Sequence, residues 1–113
     1  MRESHVQLLE YVREDGRNPF RDWLLGLDDR MARARIRARL NRLRLGNFGD
    51  CKSVGKGVHE LRVAHGPGYR AYFGQHAATV VILLCGGVKS SQARDIRTAR
   101  AYWKDYLGRT HRG

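Results

Sequence analysis

The run Thr79-Val-Val-Ile-Leu-Leu-Cys85 constrains this chain most, because every position after the threonine is apolar. A half-buried strand alternates apolar and polar residues, since successive side chains point to opposite faces. A run without alternation must be covered on both faces, so this one reads as a central strand with a layer packed on each side. Two further strand-like segments lead into it, Val58 to Ala64 and Tyr69 to Gln75. Gly66-Pro67-Gly68 and His76-Ala77-Ala78 supply the turns between the three, and connections this short pair strands antiparallel.

The N-terminal half supplies what packs on them. Val6 to Val12 is short and rich in β-formers, and Asp15-Gly16 ends it. Asn18-Pro19 starts a helix, with Asn18 as N-cap and Pro19 in the first turn, and Phe20, Trp23, Leu24 and Leu27 form its apolar face. Asp28-Asp29 opens a second helix that runs to about Leu45 and is closed by Gly46. Within it, Arg33 to Leu40 alternates with period two, as a strand would. Its length and the spacing of Ala32, Ile36, Leu40 and Leu43 by 4, 4 and 3 decide for a helix. Gly46 to Gly57 reads as a loop. After Gly86-Gly87, Ser90 or Ser91 caps a last helix to about Leu107, with Ile96, Ala99, Tyr102, Trp103 and Tyr106 inward. The order is β-α-α-β-β-β-α. It describes one α+β domain over residues 1–113, with a mostly antiparallel four-stranded sheet, an N-terminal helix pair and a C-terminal helix. Residues 108–113, including His111, are expected to form a flexible tail.

Charge narrows the function. Lys and Arg total 22 against 11 acidic residues, a net charge of +11 on 113 residues. Such a surplus repels itself in the folded state and points to a polyanionic or acidic partner. Arginine supplies most of it, and its planar fork matches phosphate oxygens two at a time. A membrane is not the expected partner. The longest apolar run, Ala77 to Cys85, is far below the roughly 20 residues of a membrane span, and no helix pairs a basic face with a bulky Trp/Phe/Leu face. The first residues carry no signal-peptide core, so a cytoplasmic protein is expected. Cys51 and Cys85 lack metal-ligand spacing and read as reduced thiols, Cys85 buried at a strand end. Gly55-Lys-Gly57 is not a nucleotide-binding loop. Neither a metal nor a small-molecule cofactor is expected.

Strand parity sharpens the candidate site. Leu61 and Val63 share one face of their strand, and Glu60 and Arg62 share the other. Tyr69, Ala71 and Phe73 lie opposite Arg70 and Tyr72. If the apolar sets face one core, Arg62, Arg70 and Tyr72 emerge together on the other face, and Lys89 can reach it from the end of the central strand. Arg70→Ala is then expected to leave the fold intact. Cations so placed can hold a phosphate and stabilise charge developing on it, while Tyr72 can stack on a base. The same spacing also suits solvated sheet residues, with Arg62 paired to an acid elsewhere. Among the histidines, His59 has core parity, His65 and His76 lie at turns, and none has a partner at a telling spacing. The seven arginines of the second helix read as a solvated or partner-facing surface.

Several stretches together resemble a known family. They are Asn18-Pro19-Phe20; Gly49-Asp50-Cys51-Lys52-Ser53-Val54-Gly55; Gly57-Val58-His59-Glu60-Leu61-Arg62; Gly66-Pro67-Gly68-Tyr69-Arg70; and Leu84-Cys85-Gly86-Gly87-Val88-Lys89-Ser90-Ser91-Gln92. Over nearly its whole length the chain resembles the RelE/ParE toxin superfamily, in particular its HigB-like addiction module killer branch, related to phage Gp49-like proteins. The resemblance implies the same α+β fold. It also implies an mRNA endoribonuclease working on or near the ribosome and held inactive by a cognate antitoxin. Arg62, Arg70 and Lys89 match basic positions that contact or cleave RNA, and Lys52, Lys56, Tyr72 and Arg94 are the expected further nucleic-acid contacts. Cleavage would proceed without metal, by attack of a ribose 2′-hydroxyl on the adjacent phosphate. Asp95, Tyr102 and Tyr106 are the acid/base residues on offer. A ParE-like module that poisons gyrase, and a non-enzymatic basic nucleic-acid-binding protein, are the alternatives.

Overall fold

A computed structural model describes residues 5–110. The chain begins with a short strand, β1 (Gln7–Glu10), followed by α1 (Pro19–Leu25) and α2 (Arg30–Arg44). Four strands come next: β2 (Cys51–Ser53), β3 (Val58–Val63), β4 (Tyr69–Ala77) and β5 (Val80–Val88). A single 3-10 turn, Lys89–Ser91, leads into α3 (Gln92–Thr110). The strands form one sheet in the order β1-β5-β4-β3-β2, with β1 parallel to β5 and all other pairs antiparallel.

The helices start where local chemistry puts them. The Asn18 side chain accepts from Arg21 N–H, with Pro19 in the first turn of α1, and the Asp29 side chain accepts from Ala32 N–H at the start of α2. Ala32, Ile36, Leu40 and Leu43 are the buried residues of α2. They pack with Phe20 and Leu24 of α1 on the sheet face formed by Leu61, Val63, Tyr69, Ala71, Phe73, Val81 and Leu83. α3 covers the opposite face, where Ala99 and Trp103 meet Val58, Tyr72, Ile82, Leu84 and Cys85. The apolar run is therefore the middle of a three-layer stack. Val81, Ile82 and Leu84 are 0% exposed and Leu83 3%.

The sheet differs from expectation in three ways. It has five strands rather than four, because Cys51–Ser53 pairs with β3 inside the segment read as a loop. At an edge, a three-residue strand with two exposed positions needs no hydrophobic pattern, so nothing in its composition marks it. The sheet is also mixed, since β5 returns alongside β1 in the same direction. Finally, β5 does not stop at Gly86-Gly87 but runs through to Val88. A Cβ at Gly86 would lie 2.2 Å from the Trp23 ring, and one at Gly87 only 1.8 Å from Asp95 Oδ2. These glycines are the points where α1 and α3 press closest on the strand, and they are not a break. A register shift opposite Tyr72 and Phe73 turns both Leu84 and Cys85 toward α3.

α3 extends to Thr110, so residues 108–110 are helical and not part of a tail. His111 lies outside the described residues. No helix among the described residues is long and apolar enough to cross a membrane.

Candidate functional site

Three antiparallel strands bring the predicted cations into one row. Arg62 of β3 stands directly opposite Arg70 of β4, and Arg70 stands opposite Gly87 of β5. Lys89 follows two residues later, in the turn that leaves the sheet. Gly68 measures how near they come, since a Cβ there would lie 3.2 Å from an Arg70 terminal nitrogen and 3.4 Å from Lys89 Cβ. The three residues are thus gathered at one end of the sheet, beside the start of α3.

They differ in how they are held. Arg62 is partly exposed and paired with Asp50, with Nη2 and Nε at 2.9 and 3.3 Å from Oδ1. The loop before β2 delivers that acid, and its backbone carbonyl also accepts from Arg62 N–H. Lys89 has no salt bridge among the described residues. Arg70 is buried, with its side chain 9% exposed. Its Nη1 donates to Gly68 O at 3.0 Å, and its Nε lies 3.4 Å from Oε2 of the wholly buried Glu60.

Glu60 is the residue that sequence reasoning passed over. Its Oε2 accepts from Tyr72 Oη at 3.0 Å and from Gln92 Nε2 at 2.8 Å, besides facing Arg70. It therefore joins β3, β4 and α3 under the basic row. The available signal was its parity with Arg62, which places an acid on the face of Arg70 and Tyr72. Two expectations change as a result. Tyr72 does share that face, but α3 covers it, and the ring is 0% exposed. It has no free face for a base, and burial together with the bond to Glu60 pushes its phenol far above the ordinary tyrosine range. Arg70→Ala is not a neutral probe either, because it leaves Glu60 without its counter-charge. Stripping one partner from a buried ion pair costs about 3–5 kcal/mol.

The remaining residues are spread out. Lys52 lies on the edge strand opposite Glu60 and is exposed. Lys56 sits in the β2–β3 loop with a positive φ of 58°. That loop is beyond the far end of β3, four strand positions or about 13 Å from Arg62 along the strand, so Lys56 is not part of the row. Arg94, in the first turn of α3, is 73% exposed and its Nε is 3.6 Å from Asp95 Oδ1.

Of the three acid/base residues, only Asp95 adjoins the row. Its carboxylate lies on Gly87, across from Arg70, and accepts from Ser91 Oγ. Tyr102 and Tyr106 lie about 10 and 16 Å further along α3, from its rise of about 1.5 Å per residue. They stack instead on Tyr11 and Trp103. His59, His65 and His76 are likewise committed elsewhere. His59 stacks on Phe73, His65 lies 3.0 Å from Asp29 Oδ2, and His76 meets the edge of Tyr106. Among the described residues no group of three or more His, Cys, Asp or Glu side chains could hold a metal ion. Both cysteines are free thiols. Burial pushes Cys51 up to about 11 and Cys85 up to about 12.

The fold and the row define a small sheet-and-helix domain with arginine and lysine gathered at one end of its sheet. The family model for phage-derived Gp49-like proteins matches residues 22–104. An uncharacterised protein of Haemophilus influenzae is 51% identical over 81 residues, which is 72% of this chain and 82% of the relative. The chain belongs to the Gp49-like family, a toxin-like family of the toxin–antitoxin kind.

Proposed function

We propose that this chain is the toxin of a toxin–antitoxin pair and that it acts on mRNA at the Arg62–Arg70–Lys89 row. The observation that carries the reading is the row itself: three basic residues from β3, β4 and the β5–α3 turn stand side by side at one end of the sheet. A scissile phosphate seated there gains charge stabilisation as its oxygens become more negative during attack by the neighbouring 2′-hydroxyl. Arg62 and Lys89 provide the accessible charge. Arg70, held by Glu60 and Gly68 O, provides a fixed one. Asp95 is the adjoining carboxylate for the proton of the attacking hydroxyl. The +11 charge and the RelE/ParE-like, HigB-like sequence stretches support a ribosomal setting and a cognate antitoxin.

A second reading, binding without cleavage, is favoured by one feature. The carboxylates around the row already have partners: Asp50 has Arg62, Glu60 has Arg70 and Tyr72, and Asp95 has Ser91. It covers a gyrase-poisoning module and a non-enzymatic basic binder. Induction of the chain without its partner, followed by mapping of transcript ends, separates the readings. Cleavage yields new 5′-hydroxyl ends that vanish in Lys89→Ala, whereas the second reading leaves transcripts intact.

A further inference from the structure

Glu60 has no exposed surface, yet it keeps a carboxylate where the fold alone has little use for one. Apolar residues of the same volume usually serve a fold as well as a buried ion pair, or better. Its bonding is also lopsided. Oε2 accepts from Tyr72 Oη and Gln92 Nε2, while the equally enclosed Oε1 has no hydrogen-bond partner. Arg70 mirrors this. Its Nε, 3.4 Å from Oε2, is near enough for charge attraction but makes no hydrogen bond, and Nη1 is drawn to Gly68 O. Buried polar atoms left unpaired are rare in folded proteins and call for a reason beyond stability. Nη2 makes no hydrogen bond among the described residues, and it is the part of the fork left for a ligand.

A side chain with no exposed surface does not meet the RNA itself, so Glu60 acts through the cations beside it. The strand register sets it diagonally behind Arg70. Glu60 stands opposite Tyr72, and Arg62, two positions on, stands opposite Arg70. Gln92 is the first residue of α3, three positions past Lys89. One carboxylate oxygen therefore holds both Arg70 on β4 and the end of the turn that carries Lys89. We infer that Glu60 is the positioning residue of the row, fixing the orientation of the Arg70 fork and the distance of Lys89 from it. The inference rests on the reading that the row handles an RNA phosphate. Such a site works by having its charges already in place, and a misplacement of about 1 Å can cost about 100-fold in rate. Charge and position then predict opposite signs for Glu60→Gln. Removing a negative charge draws RNA more strongly and, by charge alone, speeds cutting. Loosening the Arg70 fork slows it.

The test measures cleavage of a defined mRNA by the purified full chain with ribosomes added, below the melting range of every variant. Glu60→Gln should lower kcat by about tenfold or more and leave KM within about twofold, since Arg62, Lys89 and the overall charge still draw the RNA. Ile36→Ala, weakened on the opposite face of the sheet, should cut at the wild-type rate. Gln92→Ala spares the ion pair and should cut several-fold more slowly, which keeps the test open if Glu60→Gln does not fold. NMR of the Arg70 guanidinium, assigned by its loss in Arg70→Lys, should show slow rotation about Nε–Cζ in the wild type and fast rotation in Glu60→Gln. That measurement needs no RNA. A wild-type chain that cuts nothing therefore refutes the cleavage reading, while the Arg70 rotation still decides the inference. Unchanged rotation in Glu60→Gln overturns it, as does cutting at or above the wild-type rate in Glu60→Gln or in Gln92→Ala. Equal slowing by Ile36→Ala also overturns it, because the loss would then be one of stability.

Discussion

Tyr72 and Glu60 show how burial changes what a residue can do. On parity alone Tyr72 belongs beside Arg62 and Arg70, and in the structure it does lie on their face. The hydroxyl serves Glu60, however, and the ring serves the α3 side of the core. Tyr72→Phe should therefore destabilise the protein by about 2 kcal/mol, the usual contribution of a hydrogen bond to a charged group, and leave RNA binding unchanged. Urea unfolding and filter binding on the same variant check both halves. Tyr11 gives a pH test. Burial, then its bond to Asp105, raises it from 10.0 to about 12. A group raised in the folded state contributes stability that is complete below its unfolded value and is lost as pH rises through the folded one. Unfolding midpoints should thus fall between pH 10 and 12, and fall less in Tyr11→Phe.

At the scale of elements, legibility follows the strength of the hydrophobic pattern. The 4, 4, 3 spacing in α2 decides for helix over strand, and Ala32, Ile36, Leu40 and Leu43 are buried as that spacing requires. Ile36→Ala should accordingly lower stability by about 2–5 kcal/mol, the cost of emptying a well-packed site, as read by denaturant unfolding. Gly86 and Gly87 read as a break because glycine in a strand usually weakens it. What they provide is room for Trp23 and the Asp95 carboxylate, a demand set by α1 and α3 from far away in sequence. Gly87→Ala, at 1.8 Å from Asp95 Oδ2, should perturb the sheet end and lower melting temperature while Gly108→Ala, with nothing near, does not. β2 escapes for the opposite reason, since an edge strand with exposed positions carries no burial signal at all. The basic row is legible because Arg62 and Arg70 sit at matched parity across a short connection with an odd number of residues, 64–68. The burial of Arg70 within it is not, because no local pattern shows that α3 lies over that face.

For the whole molecule, three regions hold about half of the basic residues. One is the row at the end of the sheet, a second is the rim of a groove between β1 and the α1–α2 pair, and the third is the outward surface of α2. The affinity for single-stranded RNA should fall linearly in a log–log plot against salt, and removing one phosphate-binding cation should reduce the slope by about 0.7. Arg62→Ala and Lys89→Ala should each show that reduction, whereas Arg37→Ala at the distant groove should show less. The most direct test of the central claim is the state of transcript ends after the chain is induced without its partner. New 5′-hydroxyl ends that appear with the wild-type chain and disappear with Lys89→Ala are the predicted result. Growth arrest with intact transcripts, or cleavage undiminished in both Arg62→Ala and Lys89→Ala, would contradict it.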